Sequence, residues 1–242
     1  MDTRVESSSP GAADLLAHMF QAAPLKTEAE RVAATALVRL LGLPSHHDAQ
    51  KNWDTIKCLF HVLALGDRQG PVLDVGSSRA VILQWLASLG YEALHACDIL
   101  DVSGRFEGTE INFRVQDLAA TDYATGYFQA ITSISVIEHG VTPNDYFREM
   151  SRLLRPRGLL LTSTDYWSEP VECAGIYPYG VGSAPMHVFG PSEIESLVEV
   201  AREHRLELSS PLDLSTVQKA VRWERVDREY TFMFLSMRKC SD

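Results

Sequence analysis

Two acidic residues stand at the ends of short apolar runs, about one helix apart in the sequence. The first run ends in Asp74 and a turn containing Gly76, and the second ends in Asp98. This order is typical of a βαβ unit whose turn meets a nucleotide-like ligand and whose second acid accepts hydrogen bonds from ribose hydroxyls. The turn lacks the full glycine set of a phosphate-binding loop, so the pattern argues against a dinucleotide.

Histidines could move a proton in such a site. His139 directly follows the fourth apolar run and would lie at the carboxyl edge of a sheet, where open α/β folds bind ligands. His187 lies in a long segment after the fifth run, and His46 and His47 precede a helix. We rank His139 first and His187 second as catalytic residues, with a capping or surface role as the alternative for each.

The segment from residue 165 to residue 190 is long and rich in aromatic residues. A loop of this length in a compact domain is usually a lid or a binding element. We predict that it closes over a bound substrate and that Tyr177 and Tyr179 contact that substrate; the alternative is fixed packing over the N-terminal helices. Lys51 and Trp53 would face the same cleft from a helix, unless that helix buries Trp53 in the core.

The elements that position these residues follow from hydrophobic periodicity. Capping-box spacing at Thr27 and helical spacing from Val32 to Leu41 predict one helix, and a second is expected from Asp48 to about Leu65. Farther on, apolar runs alternate with amphipathic segments, which predicts a largely parallel sheet with helices on both faces. The predicted strands are 72–75, 93–99, 111–115, 130–135, 159–163, 206–212 and an antiparallel 230–237; the predicted helices are 79–89, 143–154 and 191–203.

Composition limits the classes of protein to consider. The 242 residues, 45% of them hydrophobic, suit one α/β domain with a helical extension. A formal net charge of −10 argues against general attraction to nucleic acid or an anionic membrane. The cysteines form no CxxC pair, so we expect reduced thiols in a cytoplasmic protein, and no apolar run approaches the roughly 20 residues of a membrane span. The predicted divisions are a flexible N-terminus at 1–11, a helical cap at 12–66 and an α/β domain at 67–242.

The order of motifs over residues 71–239 resembles the class I S-adenosylmethionine-dependent methyltransferases. These motifs are the acid and turn at Asp74, the acids Asp98 and Asp117, Glu-His after the fourth strand, and Arg-Pro-Arg-Gly before the fifth. The resemblance implies an α/β fold with a seven-stranded, mostly parallel Rossmann-like sheet and an antiparallel last strand. It also implies S-adenosylmethionine as the cofactor.

The resemblance assigns a role to each motif residue. The turn around Gly76 would bind the amino-acid part of the cofactor, Asp98 the ribose and Ile99 the adenine ring, while the acceptor would lie at the exit of the fourth strand. The implied cofactor-binding residues are Asp74, Gly76, Ser77, Asp98, Ile99, Asp117, Leu118 and Ser133. The expected substrate-binding residues are Trp53, Ser135, Glu138, Tyr177 and Tyr179.

Two departures from the family pattern bear on function. Ser78 and Ala80 stand where the family usually has glycine, and a residue with a side chain restricts the dihedral angles of a turn. The Glu138-His139 pair resembles the strand exit of ubiquinone-biosynthesis-type O-methyltransferases, where acids and a histidine can hold a divalent metal. In that pattern a further acid stands three residues before the glutamate. Here that residue is Ser135, so we predict no metal site.

The expected activity is methyl transfer to a small-molecule acceptor, a metabolite or natural product. The alternative is a non-catalytic S-adenosylmethionine-binding regulatory or scaffold protein on the same fold, which the altered glycines favour. A nucleotide-dependent oxidoreductase is disfavoured because Gly-x-Gly-x-x-Gly is absent. No nucleic-acid or membrane partner is expected, and a homodimer stays open beside a monomer.

Overall fold

The computed structural model describes residues 18–180 and 182–241. The segment expected to be flexible at 1–11, and the start of the predicted cap, lie outside them. The strands are β1 (Ala23–Pro24), β2 (Val72–Val75), β3 (Leu94–Asp98), β4 (Asn112–Val115), β5 (Phe128–Ile134), β6 (Leu154–Tyr166), β7 (Leu206–Leu208), β8 (Val221–Trp223) and β9 (Arg228–Lys239). The helices are α1 (Glu28–Leu40), α2 (Asn52–Leu63), α3 (Ile82–Ser88), α4 (Pro143–Leu153) and α5 (Pro191–Glu203).

The described strands form one mixed nine-stranded sheet with a parallel centre. β2 pairs in parallel with β3 and β5, while β4 extends one side and β6 the other. β9 then runs antiparallel to β6 from Tyr166 opposite Thr231 to Leu159 opposite Arg238. The predicted Rossmann-like sheet with an antiparallel last strand is therefore confirmed.

The sheet differs from the prediction along the outer edge of β9. Two short strands that the sequence did not reveal, β1 and β8, pair with β9 there, beside β7. Strands of two or three residues are too short to show a period of two. The predicted strand 206–212 ends at Leu208, because β1 pairs with Met233 and Phe234 and so occupies the next part of the β9 edge.

Alternate residues of each strand face two separate hydrophobic layers, as the pleat of a strand requires. Val72 and Phe234 pack with α1, α2 and α3, whereas Leu73 and Leu235 pack with α4 and α5. The predicted cap helices are thus one layer of the common core. No helix of the described part of the chain is long and apolar enough to cross a membrane.

A buried carboxylate joins the first two helices. The Thr27 hydroxyl accepts the N–H of Glu30 at 3.1 Å and caps α1, as the spacing predicted. Glu30 then accepts the indole N–H of Trp53 at 2.8 Å and the backbone N–H of Lys26 at 2.9 Å. Trp53 is almost fully buried and meets Phe234 edge-on, so it belongs to the core and does not line the site described below.

We expect Glu30→Ala to lower the free energy of unfolding by roughly 2–4 kcal/mol, because it leaves two donors without a partner in or near the core. The matched control is Glu28→Ala in the same helical turn. Glu28 forms only an exposed pair with Arg31, and its loss should cost less than about 1 kcal/mol. Urea denaturation measures both values. Equal losses in the two variants would show that Glu30 does not hold the helices together.

Candidate functional site

The carboxyl ends of the parallel strands open into one cavity of about 810 Å³. Ligands of open α/β sheets bind at this edge. We call the part lined by Gly76, Asp98, Ile99, Asp117 and Leu118 the β3 end. We call the part lined by Lys51, Ser135, Glu138, His139, Asp165, Tyr179, Trp223, Tyr230 and Phe232 the β6 end.

The turn after β2 requires glycine at one position. Gly76 has a φ of +70°, and a Cβ atom added there would lie 2.5 Å from Cγ2 of Val136. Ser78 and Ala80 do not have positive φ values, so their side chains impose no strain of this kind. The two departures from the family's glycine pattern are therefore compatible with the turn.

An arginine that sequence reasoning missed holds this turn from the side. Arg105, in a short 3₁₀ turn after β3, donates to the carbonyl oxygens of Ser77 at 2.7 Å and Ala80 at 3.2 Å. The helix predicted to begin at residue 79 starts only at Ile82. The residues before it stay in the turn that Arg105 bridges. No local sequence pattern marks Arg105, because its partners lie more than twenty residues away.

Asp98 has the geometry expected of a diol-binding carboxylate. One oxygen accepts the N–H of Ser78 and the other the N–H of Leu100, both at 2.9 Å. Each oxygen keeps a free lone pair, so the carboxylate can accept two hydroxyl donors. Beside it Ile99 and Leu100 are 72% and 61% exposed, an apolar surface suited to a flat ring. Asp117 and Leu118 line the same end.

Three residues assigned to the cofactor by resemblance lie beneath the cavity surface. Asp74 accepts the hydroxyl of Thr132 at 2.6 Å, and the Ser77 hydroxyl donates to the carbonyl of Asp74 at 2.6 Å. Ser133 is fully buried within β5. Burial raises the pKa of Asp74 to about 7. Asp74, Ser77 and Ser133 do not line the cavity, and the first two support the turn from below.

The β6 end holds a lysine among acids. The Lys51 ammonium donates to the hydroxyl of Ser135, lies 3.4 Å from the ring centre of Phe232 and is 3.7 Å from a carboxylate oxygen of Asp54. Lys51 and Trp53 were expected to face the cleft together. Residues two apart on a helix point in nearly opposite directions, and so Lys51 reaches the cavity while Trp53 enters the core.

Two buried carboxyl groups face this end of the cavity. Glu138 accepts the hydroxyl of Thr164 at 3.1 Å. The second group is the carboxyl of Asp165. Burial raises the pKa of both carboxyl groups. The charge of Glu138 adds to the effect on Asp165, whose pKa is about 7. The positive charge of Lys51 opposes the shift in both cases. Sequence reasoning missed Asp165, although it occupies the carboxyl end of a parallel strand as Asp98 does.

The two histidines ranked as catalytic occupy different places. His139 lines the cavity, and its ring centre lies 5.2 Å from that of Tyr179 in an edge-on arrangement. Burial lowers the pKa of His139, which favours the neutral ring that can accept a proton. His187 lies 3.1 Å from Glu193 with 43% of its side chain exposed and packs against Phe189. Since His187 does not line the cavity, the structure places it outside the site.

The segment 165–190 contributes only part of its length to the cavity wall. Tyr179 and Ala184 line the cavity. The ring centres of Tyr179 and Trp223 are 6.3 Å apart. Tyr177 is 44% exposed and is not among the lining residues. Across residues 18–180 and 182–241, no three histidine, cysteine or acidic side chains are grouped so that they could hold a metal ion.

Residues 73–162, from β2 into β6, match the family model of the methyltransferase domain. Over 102 residues the chain is 36% identical to a ubiquinone biosynthesis O-methyltransferase of Xanthomonas oryzae pv. oryzae. The aligned region covers 38% of this chain and 42% of that protein. A protein of the same name from Ruegeria pomeroyi is 28% identical over 99 residues. The chain thus spans about two fifths of the length of the curated relatives it matches.

Solved structures of a methyltransferase and of a cyclase share the fold over most of the chain. A 1,6-didemethyltoxoflavin-N1-methyltransferase of Burkholderia thailandensis, with bound S-adenosylhomocysteine, aligns with a TM-score of 0.56 at 17% identity, covering 90% of this chain and 92% of that one. The [4+2]-cyclase SpnF aligns with a TM-score of 0.61 at 17% identity, over 92% of this chain and all of that one. Together with the domain match, these similarities confirm the predicted resemblance to class I S-adenosylmethionine-dependent methyltransferases. The predicted cofactor, S-adenosylmethionine, is also the cofactor of that family.

We expect Gly76→Ala to lower the free energy of unfolding by roughly 2–4 kcal/mol, since it adds both the strain of a positive φ and an overlap with Val136. Gly66 is the matched control, because its φ is +71° but a Cβ atom there meets nothing within 4 Å. Gly66→Ala should cost only about 1–2 kcal/mol.

Adding Val136→Ala to Gly76→Ala should relieve the overlap between the two side chains. The stability that Gly76→Ala loses through the positive φ should then remain lost. Urea denaturation of the three variants and the wild type measures these differences. Equal losses for Gly66→Ala and Gly76→Ala would remove the argument that the turn needs glycine because of Val136.

Proposed function

We propose that the protein transfers a methyl group from S-adenosylmethionine to a small-molecule acceptor bound at the β6 end of the cavity. The observation that carries the proposal is one continuous cavity that joins a carboxylate with free lone pairs, Asp98, to buried titratable groups around His139. The cofactor supplies an electrophilic methyl group bound to a sulfonium sulfur. The protein then has to align the acceptor, exclude water and hold the acceptor's proton.

The β3 end provides the contacts for the cofactor in this proposal. Asp98 would accept both ribose hydroxyls, and Ile99 would cover one face of the adenine ring. Gly76 lets the backbone approach the amino-acid part closely, because no Cβ atom stands in the way. Asp117 and Leu118 would lie beside the adenine edge. The exposed apolar surface of Ile99 and the free lone pairs of Asp98 support this assignment.

The β6 end suits a small acceptor. A cavity of about 810 Å³ is within the usual range for small-molecule sites and leaves room beside a cofactor. Tyr179 and Trp223 form part of the wall, and their rings would exclude water from the methyl-transfer path. Ser135 and Glu138 would contact the acceptor, and the neutral ring of His139 would accept its proton or orient it. The acidic net charge also favours a metabolite over nucleic acid.

A non-catalytic binding protein is the second candidate. The argument for it was that Ser78 and Ala80 replace glycines of the family pattern. Because both residues fit the turn without a positive φ, this argument for a non-catalytic protein is weakened. The similarity in fold to a cyclase adds that the sheet alone does not fix the reaction. Release of S-adenosylhomocysteine in the presence of an acceptor separates methyl transfer from both alternatives.

Binding of S-adenosylhomocysteine tests the cofactor assignment. Asp98→Ala should weaken it by about 1.5–3 kcal/mol, the usual contribution of hydrogen bonds to a charged group. Asp101→Ala is the control, since Asp101 lies just beyond the β3 end and accepts hydrogen bonds from the backbone N–H and the side chain of Ser103. Titration calorimetry gives both affinities. An unchanged affinity in Asp98→Ala would remove Asp98 from the site, and no binding by the wild type would defeat the proposed function.

Turnover tests the role of His139. We expect His139→Gln to slow transfer of labelled methyl groups into a metabolite extract by roughly 100-fold, as loss of a general base does, with cofactor affinity nearly intact. His187→Gln is the matched control and should stay close to the wild-type rate, because His187 does not line the cavity. Thermal unfolding checks that both variants fold. A normal rate in His139→Gln would show that another group accepts the proton.

A further inference from the structure

Four buried polar atoms near the β6 end have no hydrogen-bond partner among the described residues. They are the hydroxyl oxygens of Ser133, Tyr146 and Thr162 and the Oε1 atom of Glu138. None of these four residues is more than 3% exposed. Buried polar atoms in proteins are nearly always paired, either with another protein atom or with an ordered water molecule. A group of such atoms therefore points to a bound water if the atoms lie close together.

The three hydroxyl groups lie on one face of the sheet. Ser133 of β5 stands opposite Thr162 of β6 in the parallel pairing, so the two side chains point the same way. Ile131 and Leu160, two residues earlier in each strand, pack in the same layer as Tyr146 of α4. Burial raises the pKa of Tyr146 to about 12, and the nearby hydroxyls of Ser133 and Thr162 act against that rise.

Glu138 lies at the edge of this hydroxyl group and also lines the cavity. Its other oxygen, Oε2, accepts the hydroxyl of Thr164 at 3.1 Å. Thr162 and Thr164 are alternate residues of one strand, so their side chains share a face and lie roughly 7 Å apart. Two hydrogen bonds of about 2.8 Å, one after the other, span about 5.6 Å. One water molecule therefore has the right size to join Glu138 to the hydroxyls.

We propose that the hydroxyls of Ser133, Tyr146 and Thr162 hold one ordered water molecule against Oε1 of Glu138, and that Tyr146 thereby positions this carboxyl group. A water molecule can donate two hydrogen bonds and accept two, and a buried one usually makes about three. In this arrangement the water donates to Oε1 and to one hydroxyl, and it accepts from the other two. All four unpaired atoms then have a partner.

The role of the water in catalysis rests on the proposed function, in which Glu138 contacts the acceptor. With Oε2 bonded to Thr164 and Oε1 to the water, both oxygens of the carboxyl group are fixed. A carboxyl group held in this way presents one orientation to the acceptor, which favours its alignment with the methyl group. Tyr146 does not line the cavity, so it acts on the acceptor only through Glu138.

The water also changes the ionisation of Glu138. Burial raises the pKa of Glu138, whereas a hydrogen bond donated to a carboxylate stabilises its charged form. The water therefore opposes the effect of burial, and its loss should raise the pKa of Glu138 further. His139 follows Glu138 in the chain, and the other charged or titratable groups that act on it are Lys51, Tyr146, Asp165, Tyr179 and Tyr230.

A crystal structure of the wild type, at a resolution that shows ordered water, tests the site itself. We expect one water molecule within about 3 Å of both Oε1 of Glu138 and the hydroxyl oxygen of Tyr146. The proposal is overturned if the three hydroxyls bond directly to one another and no water lies at Oε1.

NMR titration tests the effect on Glu138, in protein labelled with ¹³C at the side-chain carboxyl groups of glutamate. The signal of Glu138 is the one absent from Glu138→Gln. Tyr146→Phe keeps the ring and removes the hydroxyl, so the midpoint of this titration should rise by about one pH unit. Tyr123→Phe is the matched control, because Tyr123 belongs to the same hydrophobic layer but donates to the carbonyl oxygen of Ala96 at 3.4 Å. Its midpoint should equal that of the wild type.

A second variant guards against misfolding of Tyr146→Phe. Thr162→Val removes another of the three hydroxyls at nearly the same shape, and it should also raise the midpoint. If both variants titrate like the wild type, Tyr146 does not position Glu138, even where the water is present. Neither measurement needs a substrate or the cofactor. Absence of methyl transfer would therefore count against the proposed function and not against the water site.

Discussion

The pairing of β9 with the rest of the sheet is the constraint on which the site depends. One edge of this strand pairs with β6, and the other pairs in turn with β8, β1 and β7. β1 pairs with β9, and the first helices follow β1 in the chain. The first helices therefore pack on one face of the sheet that includes β9. Tyr230 and Phe232 on β9 then complete the wall of the cavity opposite the parallel strands. A nonlocal hydrogen-bond pattern therefore brings together β1, the last strands of the sheet and the centre of the site.

The β6 end keeps charges where a purely structural core would have none. Burying a lysine and several carboxyl groups is costly, and apolar residues of similar size could often fill the same volume without loss of stability. The chain retains Lys51, Glu138 and Asp165 beside an open cavity, and a serine in a left-handed conformation positions the lysine. Such an arrangement is understandable when the charges act on a bound molecule.

Local patterns in the sequence predicted most of the fold. The helix 191–203 and the strand 72–75 were predicted to the residue, because periodicity and caps act over short distances. The pairing partners of β9 could not be predicted in this way, since the strands are short and their partners lie far along the chain. Asp98 was recognised because it ends a strand of the first βαβ unit.

The predicted site was incomplete for the same reason. Asp165 follows the rule that identified Asp98, but its strand ends in a long loop that drew attention to the aromatic residues instead. Tyr177 and Tyr179 are two residues apart and only Tyr179 reaches the cavity, a distinction that depends on the path of the loop. Trp53 was misplaced for a similar reason. The sequence shows which face of the helix carries Trp53, but it does not show which element packs against that face.

The grip of Arg105 on the turn after β2 has a consequence for how such chains diverge. A turn whose carbonyls are held by a guanidinium from the neighbouring strand exit keeps its shape without relying on glycine at every position. Because Arg105 bonds to backbone carbonyl oxygens, and because residues 78 and 80 have no positive φ, residues with side chains fit at both positions. A search for glycine spacing alone would overlook chains with such a turn.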